Sequence, residues 1–249
     1  MSNKEPLNDR NHRRSPPSLP EGERIYAIGD VHGRADLLSK VLDKIDAHLD
    51  AHPIERPCEI FLGDYLDRGP QSRLVIDTIM SRARRSNLIA LSGNHEEVFI
   101  RAASEPDVFT DWMQYGGREA LLSYGIAVPL RFGRRDVERA MQEMQAKIPA
   151  EHVDFIADLP VMHTAGDYVF VHAGLRPRVA LSEQKRNDLL WIRQEFLSFR
   201  GMFPLKVVHG HTPTRQPEVL RNRINIDTGA FVTGQLTCLV LEGEQISFL

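Results

Sequence analysis

The chain has 249 residues, a hydrophobic content of 42% and a charged content of 26%, which is an ordinary composition for one large soluble domain. Its net charge of −3 argues against a protein that coats nucleic acid, and its two cysteines exclude a disulfide framework or a thiolate zinc site. With no apolar leader and no apolar run near the roughly 20 residues that cross a bilayer, we expect a cytoplasmic protein without nucleic-acid or membrane partners.

Residues 1–21 are predicted to form a disordered polar tail. They contain Pro16, Pro17 and Pro20 and few apolar side chains. Such a segment cannot bury enough apolar surface to offset the entropy lost on folding. One folded domain is expected over residues 22–249, since no later linker divides the chain. Nothing in the sequence indicates an oligomeric state.

Three short apolar segments each run towards a glycine that is followed by a potential metal ligand. They cover 25–28, 59–62 and 88–91, and lead to Gly29-Asp30, Gly63-Asp64 and Gly93-Asn94. The spacing of apolar residues over 37–49 and 74–80 predicts an amphipathic helix between each pair of strands. This alternation predicts parallel strands with right-handed crossovers, whose carboxyl ends meet at one edge of a sheet.

The remaining chain predicts a helical insertion followed by a second sheet. Residues from about 98 to 160 show helical patterns, interrupted near 116–117 and 124–125, and carry no ligand set. We expect this segment to form a cap that shapes the cleft. The segments 168–171, 206–208, 224–226, 236–241 and 246–249 are predicted strands. The predicted fold is therefore an α/β sandwich of two mixed sheets flanked by helices, with a helical cap insertion.

Five motifs place Asp, His or Asn beside glycine, at 29–33, 63–69, 93–96, 171–174 and 209–213. Carboxylate, amide and imidazole donors without thiolate suit Mn²⁺, Fe or Zn²⁺, and we take Mn²⁺ as the first choice. Two such ions about 3.5–4 Å apart would activate a water that attacks phosphorus. Asp64 can bridge both ions, because a carboxylate has two oxygens with spare lone pairs.

The residues around Asn94 and Asp64 also suggest an acid and a phosphate ligand. His95 directly follows Asn94 and is placed to protonate the leaving group. Asp67 would keep His95 oriented and protonated. Arg68 follows directly and can fork onto phosphate oxygens. His209 lies two residues before His211 on a predicted strand, so both side chains are expected on one face, with His209 packed behind or beneath the site.

This ordered series resembles the phosphoprotein phosphatase family of metallophosphoesterases over nearly all of residues 24–240. The segments 63–69 and 93–96 carry most of the resemblance. The segments 112–125, 190–193 and 226–229 are similar to the small bacterial serine/threonine protein phosphatases related to the bacteriophage lambda enzyme. The resemblance implies that residues 22–249 form a metallophosphoesterase catalytic domain.

The resemblance also implies a role for each site residue. The implied ligands of the first metal are Asp30, His32 and Asp64. Those of the second metal are Asp64, Asn94, His172 and His211. His95 and Asp67 are implied as the acid pair, with Arg68 and Arg193 as phosphate ligands. Arg193 rests on its Trp-x-Arg context alone, and a helix-surface arginine is the alternative.

The expected activity is hydrolysis of phosphomonoesters, with a phosphoserine, phosphothreonine or phosphotyrosine protein or peptide as substrate. The alternative is a dinucleoside polyphosphate hydrolase of the same superfamily. Those enzymes usually lack the carboxylate that Asp67 supplies and have Asp where Glu96 stands, which favours the phosphatase. A nuclease or phosphodiesterase is less favoured, because Thr212-Pro213 follows His211 instead of a further histidine. A non-catalytic metal-binding scaffold is the weakest hypothesis, since every expected ligand is present.

Overall fold

Two five-stranded sheets lie face to face at the centre of the computed structural model, which describes residues 16–249. In chain order the strands are β1 (Glu23–Ile28), β2 (Arg56–Phe61), β3 (Leu88–Ala90), β4 (Met162–Ala165), β5 (Tyr168–Val171), β6 (Lys206–His209), β7 (Glu218–Val219), β8 (Arg223–Asn225), β9 (Cys238–Glu242) and β10 (Gln245–Phe248). The first sheet has the order β10-β9-β1-β2-β3, and the second has the order β4-β5-β6-β8-β7. Both sheets mix parallel and antiparallel pairs, so the predicted fold class is confirmed.

Ten α-helices surround the sheets within residues 16–249, in addition to one short 3-10 helix (Leu181–Glu183). They are α1 (Ala35–Ala51), α2 (Ser72–Ala83), α3 (Asn94–Ala102), α4 (Pro106–Trp112), α5 (Gly117–Ser123), α6 (Arg134–Lys147), α7 (Ala150–Ala157), α8 (Arg186–Trp191), α9 (Gln194–Leu197) and α10 (Ala230–Thr233). The helical periodicity over 37–49 is confirmed, because α1 buries Leu38, Val41 and Ile45 on one face. None of the described helices is long and apolar enough to cross a membrane.

The β1-α1-β2-α2-β3 unit delivers the first three motifs to one edge. β1 pairs with β2, and β2 with β3, in parallel register. Their carboxyl ends therefore lie side by side, with Asp30, Asp64 and Asn94 just beyond them. The second sheet is joined to the first by a shared apolar layer, in which Ile60 of β2 and Phe170 of β5 are both fully buried. Helices α3 to α7 occupy 94–157, the region in which a cap was predicted.

The folded domain begins earlier than the predicted boundary at residue 22. Residues 1–15 of the predicted tail lie outside the described residues. Leu19 is 5% exposed and packs in the layer between the two sheets. Its N–H donates to the Gly243 carbonyl at 3.0 Å, and the Tyr168 hydroxyl donates to the Pro17 carbonyl at 3.1 Å. The prediction was wrong for residues 17–21, because one leucine and backbone hydrogen bonds suffice to dock a short segment onto an existing core.

Candidate metal centre

Backbone strain is concentrated in the motifs. Within residues 16–249, six residues other than glycine have a positive φ, and five of them belong to the motifs: His32 (45°), Asp64 (53°), Asp67 (71°), Arg68 (65°) and His211 (65°). A left-handed conformation is costly for residues with a Cβ and persists only where surrounding contacts impose it. The fold therefore holds these side chains in directions that relaxed strands would not give them.

Two glycines make room for the carboxylates of the site. A Cβ on Gly93 would collide with Oδ1 of Asp64, and a Cβ on Gly210 would collide with Oδ1 of Asp30. Both glycines lie next to a predicted ligand, Asn94 or His211. The absence of a side chain at these positions lets the backbone approach each carboxylate closely.

Asn94, His172 and His211 point their donor atoms at one another. Oδ1 of Asn94 lies 2.9 Å from Nε2 of His172 and 2.8 Å from Nδ1 of His211. The two ring nitrogens are 3.1 Å apart, and Oδ1 of Asp64 is 3.4 Å from Nε2 of His172. All four side chains are buried. The second predicted ligand set is therefore brought together.

The tautomer of His172 shows why this arrangement fits a cation. Its Nδ1 lies 2.9 Å from the Leu62 carbonyl and must donate to it, so Nε2 is assigned as the unprotonated nitrogen. That lone pair then faces the oxygens of Asn94 and Asp64, which are also acceptors. A cation among these atoms would satisfy them all. Burial lowers the pKa of His172, and it lowers the pKa of His211 to about 2, which keeps both rings neutral as metal ligands require.

A second group forms around the other oxygen of Asp64. Nε2 of His32 lies 3.5 Å from Oδ2 of Asp64, and Nε2 of His95 lies 3.8 Å from it. Nδ1 of His32 donates to the Leu66 carbonyl at 2.8 Å, which leaves its Nε2 unprotonated. Burial lowers the pKa of His32 to about 3. The donor atoms of His32, Asp64 and His95 lie within 4.8 Å of one another, and so do those of Asp64, His172 and His211. Both groups can therefore hold a metal, and Asp64 belongs to both.

Asp30 lies at the same edge but outside these two groups. Its carboxylate accepts the backbone N–H of His211, at 3.1 Å to Oδ2 and 3.3 Å to Oδ1. Burial raises its pKa well above the usual range, and the neighbouring carboxylates of Asp227 and Asp64 add to the effect. Three buried carboxylates this close repel one another, and bound cations would offset that repulsion. The role of Asp30 as a ligand of the first metal stays a prediction.

His95 is held by Asp67 as the sequence predicts. Nδ1 of His95 lies 2.5 Å from Oδ2 of Asp67, and Asp67 is fully buried. Burial lowers the pKa of His95, but the carboxylates of Asp64 and Asp67 outweigh it and raise the pKa to about 9. Arg68 Nη2 lies 3.2 Å from Nε2 of His95. The guanidinium is therefore beside the ring nitrogen that Asp67 leaves free.

Arg68 and Arg193 are positioned to bind an anion. In the described part of the chain, neither guanidinium has a carboxylate within 4.0 Å, the distance of an ion pair. Arg193 Nη1 donates to the Thr212 hydroxyl at 3.1 Å. Both arginines line a cavity of about 560 Å³ together with Asn94 and His95. Arg193 is thus placed at the site and is more than a helix-surface residue.

The same cavity extends from Asn94 and His95 to the helices α3, α4 and α8. Its further lining residues are Val98, Arg101, Val108, Asp111, Trp112, Tyr115 and Trp191. Tyr115 and Trp191 are partly exposed, at 63% and 39%. The Trp191 indole N–H donates to Glu97 at 2.8 Å, which fixes the ring. A larger cavity of about 640 Å³ between α1, α2 and β2 contains no metal-binding group among the described residues.

A known protein family matches the part of the chain that contains these buried donor groups. The family model for calcineurin-like phosphoesterases matches residues 23–234. The chain belongs to this family. Its donor groups accordingly suit divalent metal ions, and phosphoester hydrolysis is the reaction class.

Three known proteins are similar to this phosphoesterase in sequence or in fold. A bis(5′-nucleosyl)-tetraphosphatase PrpE [asymmetrical] of Anoxybacillus flavithermus is 29% identical over 85% of this chain and 88% of its own length. Serine/threonine-protein phosphatase 1 of Salmonella typhimurium is 30% identical over 86% of this chain and 89% of its own. A crystal structure of a candidate diadenosine tetraphosphatase superposes with a TM-score of 0.63 at 17% identity, covering 91% of this chain and 92% of that chain. The last similarity shows the fold alone.

Glu96 has a structural role in the phosphoesterase site that was not predicted from the sequence. Its carboxylate accepts the backbone N–H groups of Gly93, Asp64 and Tyr65 at 2.9, 2.7 and 2.8 Å. It thereby joins the second motif to the third. A glutamate three residues into a helix is typical of an N-terminal capping arrangement, and this signal was present in the sequence.

The expectation for His209 was partly wrong. β6 ends at His209, and His211 has a φ of 65°, so strand alternation does not continue between them. The His209 ring is fully buried against Phe196, with centroids 4.8 Å apart. His209 therefore packs beneath the site, while His211 turns towards Asn94.

Proposed function

We propose that this phosphoesterase hydrolyses bis(5′-nucleosyl) tetraphosphates asymmetrically, to a nucleoside triphosphate and a nucleoside monophosphate. The PrpE relatives support this over the phosphoprotein substrate expected from the sequence. The observation that carries the proposal is the cavity beside the metal ligands, which combines unpaired guanidinium groups with partly exposed aromatic rings. The guanidinium groups can bind a polyphosphate, and a nucleobase can stack on the aromatic rings.

The position of Trp191 favours asymmetric cleavage. Its ring centroid lies 6.4 Å from that of His211. A base stacked on Trp191 would keep its nucleoside end next to the metal ligands, so the phosphates near that end, and not the middle of the bridge, would reach the centre. Arg101 also lines the cavity and, although paired with Glu105, adds positive charge for the rest of the bridge.

The protein groups have separate tasks in the proposed reaction. Two divalent ions, Mn²⁺ as the first choice with Fe or Zn²⁺ as alternatives, would supply an activated water and neutralise phosphate charge. The residues proposed to hold them are Asp30, His32, Asp64, Asn94, His172 and His211. Arg68 and Arg193 bind the peripheral oxygens of the attacked phosphate. His95 carries a proton at Nε2 for the leaving oxygen, with its ring oriented by Asp67.

A second candidate is hydrolysis of phosphoprotein monoesters, and the acid pair favours it. An alkoxide leaving group from a phosphorylated side chain is strongly basic and needs a proton from His95. A polyphosphate leaving group needs less help, since the last pKa of a phosphate is about 6. The Salmonella typhimurium protein phosphatase, at 30% identity, supports the same candidate.

One metal-loaded preparation can decide between the two candidates. The test compares kcat/KM for diadenosine tetraphosphate and for a phosphoserine peptide, with the products separated by chromatography. We expect the higher value on the dinucleotide, with ATP and AMP as products. A higher value on the peptide would select the second candidate, and turnover of neither substrate would refute both.

A variant of Trp191 tests the cavity itself. Trp191→Ala should lower kcat/KM for diadenosine tetraphosphate about tenfold or more, because stacking contributes about 1–3 kcal/mol per base. It should leave p-nitrophenyl phosphate, which has no base, nearly unaffected. Phe248→Ala is the matched control, since Phe248 is a similarly exposed aromatic on β10, outside the cavity. An equal loss on both substrates would show that Trp191 does not hold a base.

A further inference from the structure

Phe231 lies between an arginine and a metal-ligand candidate. The Arg68 guanidinium carbon stands 4.8 Å from the centre of the Phe231 ring. The same ring meets His32 edge to face, with centroids 5.5 Å apart. A guanidinium within about 6 Å of an aromatic face is attracted by the negative charge of the ring face. Phe231 therefore contacts a proposed phosphate ligand on one side and the metal group on the other.

The segment that carries Phe231 is held firmly. Gly229 and Gly234 flank α10 with left-handed φ values of 66° and 73°, which bend the chain sharply at both ends. The Gly229 N–H donates to Asp227 at 2.8 Å. Arg34 Nη1 donates to the Ala230 carbonyl at 3.1 Å, and Arg34 is itself fixed by two hydrogen bonds to Asp36. The Phe231 ring is thus presented from a constrained backbone.

Arg68 has few other contacts that could fix its guanidinium. Its backbone N–H donates to the Gly116 carbonyl at 3.3 Å, and its side chain reaches Nε2 of His95 at 3.2 Å. No carboxylate within residues 16–249 forms an ion pair with it. Besides Nε2 of His95, the ring face of Phe231 is the side-chain contact that holds the guanidinium at the site.

We propose that Phe231 is a positioning residue, which holds the Arg68 guanidinium over its ring in the orientation that binds the substrate phosphate. The inference rests on the proposed role of Arg68 as a phosphate ligand. Phe231 acts through Arg68 and touches neither the reacting atoms nor the leaving group. Its effect should therefore appear in phosphate affinity and in KM, with kcat little changed, because the interaction is already present in the bound ground state.

The test uses the metal-loaded full chain and inorganic phosphate as the probe. Phe231→Leu keeps an apolar side chain but removes the ring face, and Phe231→Tyr keeps the ring. We expect Phe231→Leu to weaken phosphate binding by calorimetry about 3- to 10-fold, the scale of a cation–π contact, and to raise KM for p-nitrophenyl phosphate equally. Phe231→Tyr should stay close to the parent. Val232→Ala, on the 74% exposed neighbouring side chain, is the control and should change nothing.

A double-mutant cycle decides whether the effect passes through Arg68. In an Arg68→Ala background, Phe231→Leu should weaken phosphate binding no further. If Phe231→Leu weakens phosphate binding just as much in that background, or if elemental analysis shows a loss of bound metal, the inference is overturned. The role of Phe231 would then lie in its contact with His32 or in packing. Unchanged phosphate affinity in Arg68→Ala would overturn it as well. Failure to hydrolyse diadenosine tetraphosphate would refute the proposed function, while the calorimetric cycle would still decide this inference.

Discussion

Oδ2 of Asp67 lies 2.5 Å from Nδ1 of His95. The same oxygen accepts the indole N–H of Trp112 at 2.7 Å. Trp112 belongs to α4, within the region predicted as a cap. The cap region therefore helps to set the orientation of the acid pair, and the His95 ring is fixed with Nε2 on the cavity side.

Replacing His95 should impair catalysis according to the leaving group. We expect His95→Asn to lower kcat on a phosphoserine peptide by about 10²–10⁴-fold, the usual scale of general acid catalysis. The loss should be much smaller with p-nitrophenyl phosphate, whose leaving group hardly needs a proton. The metal content of the variant should stay unchanged, and it must be measured because His95 also lies near Asp64, a proposed metal ligand. An equal loss on both substrates, or the loss of one ion, would show that His95 is not the acid.

Replacing Asp64 should disturb both metal groups together. Its two oxygens face different groups, Oδ1 towards His172 and Oδ2 towards His32. We expect Asp64→Asn to lower the content of both ions and abolish most activity, because the amide removes the charge that both groups share. Asp43→Asn, at an exposed position of α1, is the control for elemental analysis. Retention of one ion at full occupancy would indicate that Asp64 does not bridge.

Glu96 should be essential for the loop that carries Asp64. Glu96→Gln keeps the size but replaces one accepting oxygen by a donor, so at least one buried N–H of Gly93, Asp64 or Tyr65 loses its partner. We expect the free energy of unfolding to fall by about 1–3 kcal/mol, measured by denaturant titration. Glu244→Gln, on an exposed turn, should have no measurable effect. Equal stability of the two variants would contradict the proposed anchoring.

The segment before β1 should contribute to stability. Leu19 is 5% exposed between the sheets, whereas Leu130 is 86% exposed. We expect Leu19→Ala to lower the free energy of unfolding by about 2–4 kcal/mol, within the range for buried leucines, and Leu130→Ala to leave it unchanged. If the two variants unfold alike, residues 17–21 do not dock as described.

The sequence predicts the strands that lead to the site well, because each combines an apolar run with a glycine and a polar residue. Asp64 and Asn94 follow β2 and β3 as expected, and the parallel order is confirmed. The edge strands β4 and β7 were not predicted. β4 contains His163 and Thr164, and β7 has two exposed residues, so neither shows the alternation that identifies a strand.

Contacts between segments that are distant in the chain could not be predicted from the sequence. The Asp67–Trp112 hydrogen bond joins residues 45 positions apart, and the Arg68–Phe231 contact joins residues that are 163 positions apart in the chain. No periodicity encodes such pairs, since they depend on how the cap region and α10 pack. The ligand motifs were visible because each is local, whereas the residues that orient them act across the fold.

Elemental analysis of purified, active protein tests the two-metal centre most directly. We expect two divalent ions per chain, with activity lost when a chelator removes them and regained when Mn²⁺ is added back. Fully active protein that holds a single ion per chain, or none, would contradict a centre in which Asp64 joins the His32 group to the group of Asn94, His172 and His211.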